Sequence, residues 1–400
     1  MTTVLHAWLE GIYVGRFTLT GDHRATFDYD QDAPSTPVSL SLPRDGGWAR
    51  AAPYLFLDNL LPDNDVTRSR MAIDSGAASD GVFDLLARNG ADVAGGLVLT
   101  PTSDPPTASD GVLLPFTDDD IASRIATLRH DPHRWLDKDL AGGRFSLAGA
   151  QAKFTMALIG GRWHQSTRAI PSTHIVKPAA ERTGDADLIE AATARLARLA
   201  GLAAPGAWIL EVEGQRAYIV ERFDRDTTVT PAARLHTEDL AQAAGMPRGQ
   251  KYGMTAAQAI ALLHRHDPTD TLGYAFVERL AFAVSTANAD AHAKNYSLML
   301  RPHNVSLAPV YDQVTTAYWP WLDDRLAMKI DGAARPAEVT AQHWAKLAGK
   351  AGLDEDRVVT TAREVSRRVV EGAEVAYESL PAPVRDRLQR IVEHANHHMI

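Results

Sequence analysis

Cysteine is absent from the 400 residues, which excludes disulfides and thiolate chemistry and fits a reducing compartment. No stretch approaches the roughly 20 apolar residues that a membrane-spanning helix requires. Residues Met1 to Glu10 carry neither a cationic start nor a long apolar run, so no secretion signal is expected. Basic residues do not predominate: 41 Lys and Arg stand against 50 Asp and Glu, a net charge of −9. Bulk electrostatics therefore excludes nucleic-acid binding by the molecule as a whole, and any DNA contact is expected to be local or made through a partner. What is there, 45% hydrophobic and 23% charged residues, is an ordinary globular composition, long enough for two or three domains of about 150 residues each. A cytoplasmic location is expected.

The N-terminal hundred residues read as β-rich. Val4–Leu9 and Ile12–Leu19 form strands about the Glu10-Gly11 turn, Pro37–Leu42 another and Gly96–Thr100 a closing one. Helices are expected over Tyr54–Leu61, over Val66–Ile73 after an Asp65 cap, and over Val82–Arg88, stopped by Gly90. The acidic and amide residues Asp58, Asn59, Asp63, Asn64 and Asp65 read as helix ends in preference to a metal site. The segment Thr100–Pro115, rich in Pro, Ser, Thr and Asp, marks a linker, and Thr117–Asp120 resembles a capping box for a helix through Arg129. Beyond it, Gly142 to Lys153 is a small-residue loop opening into the strand Phe154–Ile159. Its backbone N–H groups can approach an anion closely. His174–Pro178 is a strand whose end presents Lys177, either snorkelling or neutralising phosphates. Glu190, on the helix Asp187–Leu202, could pair with Lys177, although a solvated helix-face residue is the first reading. Ala207–Val212 and Ala217–Phe223 form a further hairpin, and from Leu235 onward helix patterns dominate, ending in Arg363–Glu378 and Val384–His398. Four stretches follow: a β-rich part over 1–100, a linker and helix over 101–140, a nucleotide-binding part over 141–233 and a helical catalytic lobe over 234–400.

The densest chemistry lies at Asn288–Asn295. Asp290 and Asn295 stand at the D-x-x-x-x-N spacing of kinase catalytic loops, in which the Asp accepts a hydroxyl proton and the Asn holds magnesium. Two strands, Tyr296–Leu300 and Val305–Val310, flank the turn Arg301–Asn304. A hairpin joins its own ends, so Asp312 at its exit is expected beside Asn295 at its entrance. Paired oxygen ligands suit a hard divalent cation that also binds phosphate. A hydrolase with Asp290 and His292 as metal ligands is the rival reading, but no second ligand cluster accompanies them.

Several stretches together resemble the HipA family of serine/threonine kinase toxins: Phe145–Lys153, Ser172–Lys177, Glu221–Arg225, Leu235–Asp239, Asp290–Ser297 and Pro309–Asp312, with Phe56–Pro62 near the N-terminus. The resemblance implies an α+β, protein-kinase-like two-lobed fold with an N-terminal β-rich subdomain and a mostly helical C-terminal lobe. It implies Asp290 as catalytic base, Asn295 and Asp312 as ligands of Mg²⁺, and Ser146 as a site of autophosphorylation that ejects the phosphate loop. ATP contacts are implied for Ala148, Gly149, Ala150, Gln151, Ala152, Lys153 and Lys177 on the phosphates. Glu221, Arg222 and Phe223 are implied at the adenine, and His292, Ala293, Lys294 and Tyr311 around the phosphate end. The implied partners are a HipB-like helix-turn-helix antitoxin, operator DNA mainly through that antitoxin, and a protein substrate such as an aminoacyl-tRNA synthetase of the glutamyl type. Two other functions stand as alternatives: a small-molecule phosphotransferase on the same scaffold, and a non-catalytic co-repressor that loads the antitoxin onto DNA, against which Asp290, Asn295, Asp312 and Lys177 argue.

Overall fold

The computed structural model describes residues 3–21, 24–105, 113–136, 145–149, 151–167 and 170–399. The chain divides into two units built from interleaved segments. One comprises Met1–Gly184, Trp208–Gly249 and Leu298–Asn304, the other Asp185–Ala207, Gln250–Ser297 and Val305–Ile400.

The first unit holds a four-stranded and a five-stranded sheet, besides a short ladder of Arg225–Asp226 with Ala233–Arg234. In one, the strand order is Ala25–Tyr29, Ile12–Leu19, Thr3–Leu9 and Leu97–Thr100, with antiparallel pairing throughout. Alternation puts Leu5, Ala7, Leu9 and Phe17 inward, where they meet Phe56, Leu57, Leu85 and Leu86 of the helices Ala52–Asp58 and Val82–Asn89. The second sheet runs Arg162–His164, Phe154–Ile159, His174–Lys177, Gln215–Glu221 and Ala207–Val212. Phe154, Met156, Val176 and Ile219 from this sheet belong to the same apolar cluster as the first sheet. Each fully buried side chain of this kind contributes about 1.5–3 kcal/mol.

Buried ion pairs add specificity to that core. Arg222 donates to Asp224 at 2.7 Å, Arg225 to Asp92 at 2.9 Å, and Gly95 N–H to Asp224 at 2.7 Å. Burial alone would raise the Asp224 carboxyl, but Arg222, Arg225 and the Gly95 N–H outweigh it and hold the group well below the usual carboxylate range.

Several elements differ from the sequence reading. Pro37–Leu42 is a turn, not a strand. Tyr29 Oη accepts the Val38 N–H at 2.9 Å and donates to the Leu42 carbonyl at 2.6 Å, while Leu42 N–H closes back on Ser39. A side chain thus satisfies backbone groups that a neighbouring strand would otherwise take. Ala25–Tyr29 and Thr237–Asp239 are among the strands that the sequence reading lacks. The cap of the helix Asp65–Ser75 is Asn64, whose side chain accepts from Val66 and Thr67 N–H. Asp58 is paired with Arg68 at 2.5 Å and Asn59 donates to the Leu55 and Met246 carbonyls, so these residues are structural. The Thr117–Asp120 capping box is present.

The second unit is arranged about the helix Glu355–Tyr377. It packs against Ala186–Leu199, Thr271–Ser285, Ala341–Ala351 and Ala382–Asn396. Val358, Val365, Val369 and Tyr377 are its fully buried stripe. It starts at Glu355, ahead of the expected Arg363, because the Asp354 side chain accepts from Arg357 N–H and caps the first turn. Glu190 is buried, at 4% exposure, and so is no solvated helix-face residue. Among the described residues no helix is long and apolar enough to cross a membrane.

Candidate active site

In the second unit the helix Thr271–Ser285 delivers the chain to Asp290. Phe276, Val277, Leu280 and Val284 bury this helix, which makes it a rigid base. It ends where Ala287 turns left-handed at φ 52° and Asn288 N–H returns to the Ala283 carbonyl at 2.8 Å. The loop is then braced from several sides. Ala289 N–H donates to Thr316 Oγ1 at 2.7 Å, Asp290 N–H to Asn288 Oδ1 at 3.1 Å, and Asn288 Nδ2 to Gln313 Oε1 at 2.8 Å.

Past Asp290 the backbone makes one tight turn. His292 N–H bonds to the Asp290 carbonyl at 2.8 Å, and Asn295 N–H to the His292 carbonyl at 2.9 Å. Asn295 Oδ1 in turn accepts His292 N–H at 3.0 Å. The hairpin strands are Ser297–Arg301 and Asn304–Leu307. At its base Ala308 N–H donates to the Ser297 carbonyl at 2.8 Å. Asp312 then stands beside Asn295, whose Nδ2 donates to Asp312 Oδ2 at 2.9 Å. Asp312 adopts φ 54°, a left-handed conformation that Asp tolerates better than most side chains. Tyr311 Oη bonds to the Lys294 carbonyl at 2.7 Å and to Ser297 Oγ at 2.6 Å, which locks the hairpin exit to the loop.

Exposure separates the roles. Asp290 and Asp312 are exposed, whereas His292, Ala293, Lys294 and Asn295 are buried. The carboxylates thus face outward from a tightly held turn. A carboxylate beside an amide is the sparse ligand set that Mg²⁺, which keeps several waters, takes beside substrate phosphates. To serve it, the Asn295 amide, whose Nδ2 faces Asp312 and whose Oδ1 faces His292 N–H, would turn its oxygen to the ion. Among the described residues no group of three or more His, Asp or Glu side chains is arranged to hold a metal ion, so the hydrolase ligand set finds no support.

The first unit holds the other residues of interest. Phe145 and Leu147 are buried in its core, and Ser146, fully buried, donates from Oγ to the Leu60 carbonyl at 2.8 Å. Asp63 N–H donates to the Gly149 carbonyl at 3.2 Å. Gly149 has φ +107°, a backbone conformation that L side chains rarely adopt, so glycine suits the position. Lys153 Nζ donates to the Ala148 carbonyl at 2.8 Å, closing the loop on itself. Ala152 is buried, Gln151 half-buried, and Ala150 lies outside the described residues.

Lys177 is buried, paired in register with Tyr218 on the adjacent strand, its Nζ 5.7 Å from that ring's centre. Glu221 is exposed and Phe223 half-buried. Arg222 is different from its neighbours. Its guanidinium is committed to Asp224, Ser172 and the Val93 carbonyl, and its N–H to the Thr173 carbonyl. The Arg222 side chain thus has a structural role. One residue was missed altogether: Tyr252, whose hydroxyl donates to Asp290 Oδ1 at 2.8 Å. Nothing in its local pattern marks it.

Residues 5–100 match the HipA N-terminal domain and residues 145–373 the HipA-like C-terminal domain. The protein Y4mE of Sinorhizobium fredii is 33% identical over 376 residues, covering 88% of this chain and 86% of its own. The serine/threonine-protein kinase toxin HipA of Shewanella oneidensis is 27% identical over 395 residues, covering 92% of this chain and 88% of its own. A solved complex of Shewanella oneidensis HipA with HipB and operator DNA aligns at TM-score 0.83 over 99% of both chains, with 24% identity. That likeness establishes the α+β fold. On these domain matches the chain belongs to the HipA family.

Proposed function

We propose that this chain is an ATP- and Mg²⁺-dependent serine/threonine protein kinase acting as the toxin of a HipBA-like toxin–antitoxin pair. The observation that carries the reading is the exposed Asp290 carboxylate, held by a braced turn that also sets Asn295 against Asp312. In the reaction a substrate hydroxyl attacks the γ-phosphorus of ATP, the bond to the β-bridging oxygen breaks, ADP leaves, and the hydroxyl proton passes to Asp290. Asn295 and Asp312 would hold Mg²⁺, which when bound neutralises charge on the transferring phosphates. Lys177 and the N–H groups of the 148–153 loop would take phosphate oxygens, Glu221 and Phe223 the adenine, and His292 and Lys294 the phosphate end. The chemistry needs positioning and charge more than covalent participation, which suits so rigid a loop.

Ser146 is the proposed autophosphorylation site. Its hydroxyl is buried, so phosphorylation requires residues 145–149 to leave the first unit's core. A phosphate adds about −1.5 to −2 charges, and a buried apolar seat does not readmit it. Inactivation by exclusion of the loop follows. The protein substrate is proposed to be a translation factor such as an aminoacyl-tRNA synthetase, and the partner a HipB-like antitoxin that carries the acidic chain to operator DNA. The test compares host phosphoproteomes after expression of the wild type and of Asp290→Ala. A site on a translation protein that appears only with the wild type supports the reading. Matching phosphoproteomes with the two proteins equally expressed overturn it.

A further inference from the structure

The base Asp290 does not stand alone. Tyr252 Oη donates to its Oδ1 at 2.8 Å, from a residue 38 positions earlier in the chain. The contact is tertiary, and it is reinforced. Ala293 N–H donates to the Lys251 carbonyl at 3.2 Å, so the backbone of the same segment is tied to the catalytic loop. The Tyr252 ring meets His292 edge-on, with centroids 5.1 Å apart at 84°, and Lys251 Nζ lies 5.2 Å from the Tyr252 ring centre. Yet Tyr252 remains 52% exposed. Burial alone does not explain an aromatic ring placed there, because half of it faces water. Tyr252 and Asp290 share a wall of an open cleft of about 570 Å³, together with Leu322, Leu326 and Lys329. A substrate segment can reach the carboxylate from that side.

We propose that Tyr252 is a positioning residue for phosphoryl transfer, holding the Asp290 carboxylate in one rotamer so that its second oxygen faces the incoming hydroxyl. This rests on the kinase reading above. A carboxylate attached through a freely turning bond presents its oxygens over a broad range of angles. A phenol hydrogen bond at one oxygen removes that freedom before substrate arrives, and pre-set geometry is where much of the rate of this reaction class originates. A hydrogen bond to a charged group contributes about 1.5–3 kcal/mol, which corresponds to a rate change of about 10- to 100-fold.

The test measures phosphoryl transfer to protein by wild type, Tyr252→Phe, Asp290→Asn and the double variant, with unfolding midpoints alongside. Phe keeps the ring and its contact with His292, so the expected result is kcat lower by about 10- to 100-fold, with KM for ATP and the midpoint unchanged. In the Asp290→Asn background the same change is expected to cost little more, because the group it positions is already gone. Wild-type kcat in Tyr252→Phe, or a fall that recurs undiminished in Asp290→Asn, overturns the proposal while the kinase reading stands. Full activity in Asp290→Asn and in Asp290→Ala would instead remove the kinase reading, and this inference with it.

Discussion

Asn295 and Asp312, 17 positions apart, meet at 2.9 Å because a short hairpin returns the chain to its own starting point. The amide is fixed by His292 N–H and the carboxylate by a left-handed backbone at φ 54°. If this pair is the cation seat, Asp312→Asn lowers Mg²⁺-dependent phosphoryl transfer by about 10²-fold or more, the usual worth of an electrostatic group at transferring charge. Asn also tolerates the left-handed backbone, so the unfolding midpoint stays near that of the wild type. A magnesium titration of the rate, read beside a melting curve, distinguishes loss of the seat from loss of the fold.

Ser146 bears on regulation. Its hydroxyl donates to the Leu60 carbonyl from a fully buried position. Ser146→Asp places an unpaired charge in the apolar core and is expected to expel the 145–149 segment. Limited proteolysis should then cut near that segment, and ATP affinity should fall. Ser146→Ala leaves one carbonyl unpaired, costs about 1–3 kcal/mol, and keeps the segment protected. Equal protease protection in Ser146→Asp and wild type contradicts this account of inactivation.

The Asp92, Asp224, Arg222 and Arg225 cluster is the second structural prediction. All four side chains are buried and mutually bonded. Removing one carboxylate leaves guanidinium charge unpaired, so Asp224→Ala is expected to destabilise the first unit by about 3–5 kcal/mol. Denaturant unfolding, followed by a fluorescence probe in that unit, measures it.

These residues also show what the sequence could and could not convey. The strands Phe154–Ile159 and His174–Lys177 were legible from their own apolar runs, and Thr117–Asp120 from local capping chemistry. Asn295 and Asp312 were legible because a hairpin is a local device with a known geometric result. The burial of the Arg222 side chain was not legible, because it depends on Asp92, Val93 and Ser172, which are distant in the chain, as well as on nearby Asp224. Tyr252 went unseen because its contact with Asp290 joins residues 38 positions apart. Pro37–Leu42 looked like a strand because nothing local shows that Tyr29 Oη and Glu238 take its backbone groups.

Glu238 gives a pH prediction. Ser39 Oγ and Leu40 N–H donate to it at 2.5 and 2.7 Å, but burial dominates and pushes its carboxyl up to about 8. Stability from the neutral group is full below its ordinary value of 4.5 and is lost as pH rises through about 8. Burial pushes His236 down to about 4 from 6.5, so that residue withdraws stability only as pH falls below 6.5. Between pH 6.5 and 8, where His236 no longer contributes, the Glu238 slope remains. The unfolding midpoint should fall across that window in the wild type and stay level in Glu238→Gln.

The most direct test of the account is transfer of the γ-phosphate of ATP to protein by purified wild type and Asp290→Ala, with Ser146 read by mass spectrometry. The account predicts phosphate at Ser146 and on a partner protein with the wild type, and a rate lower by about 10²- to 10⁴-fold in the variant. Equal rates in the two, or no transfer by a folded wild type supplied with ATP and Mg²⁺, contradict it.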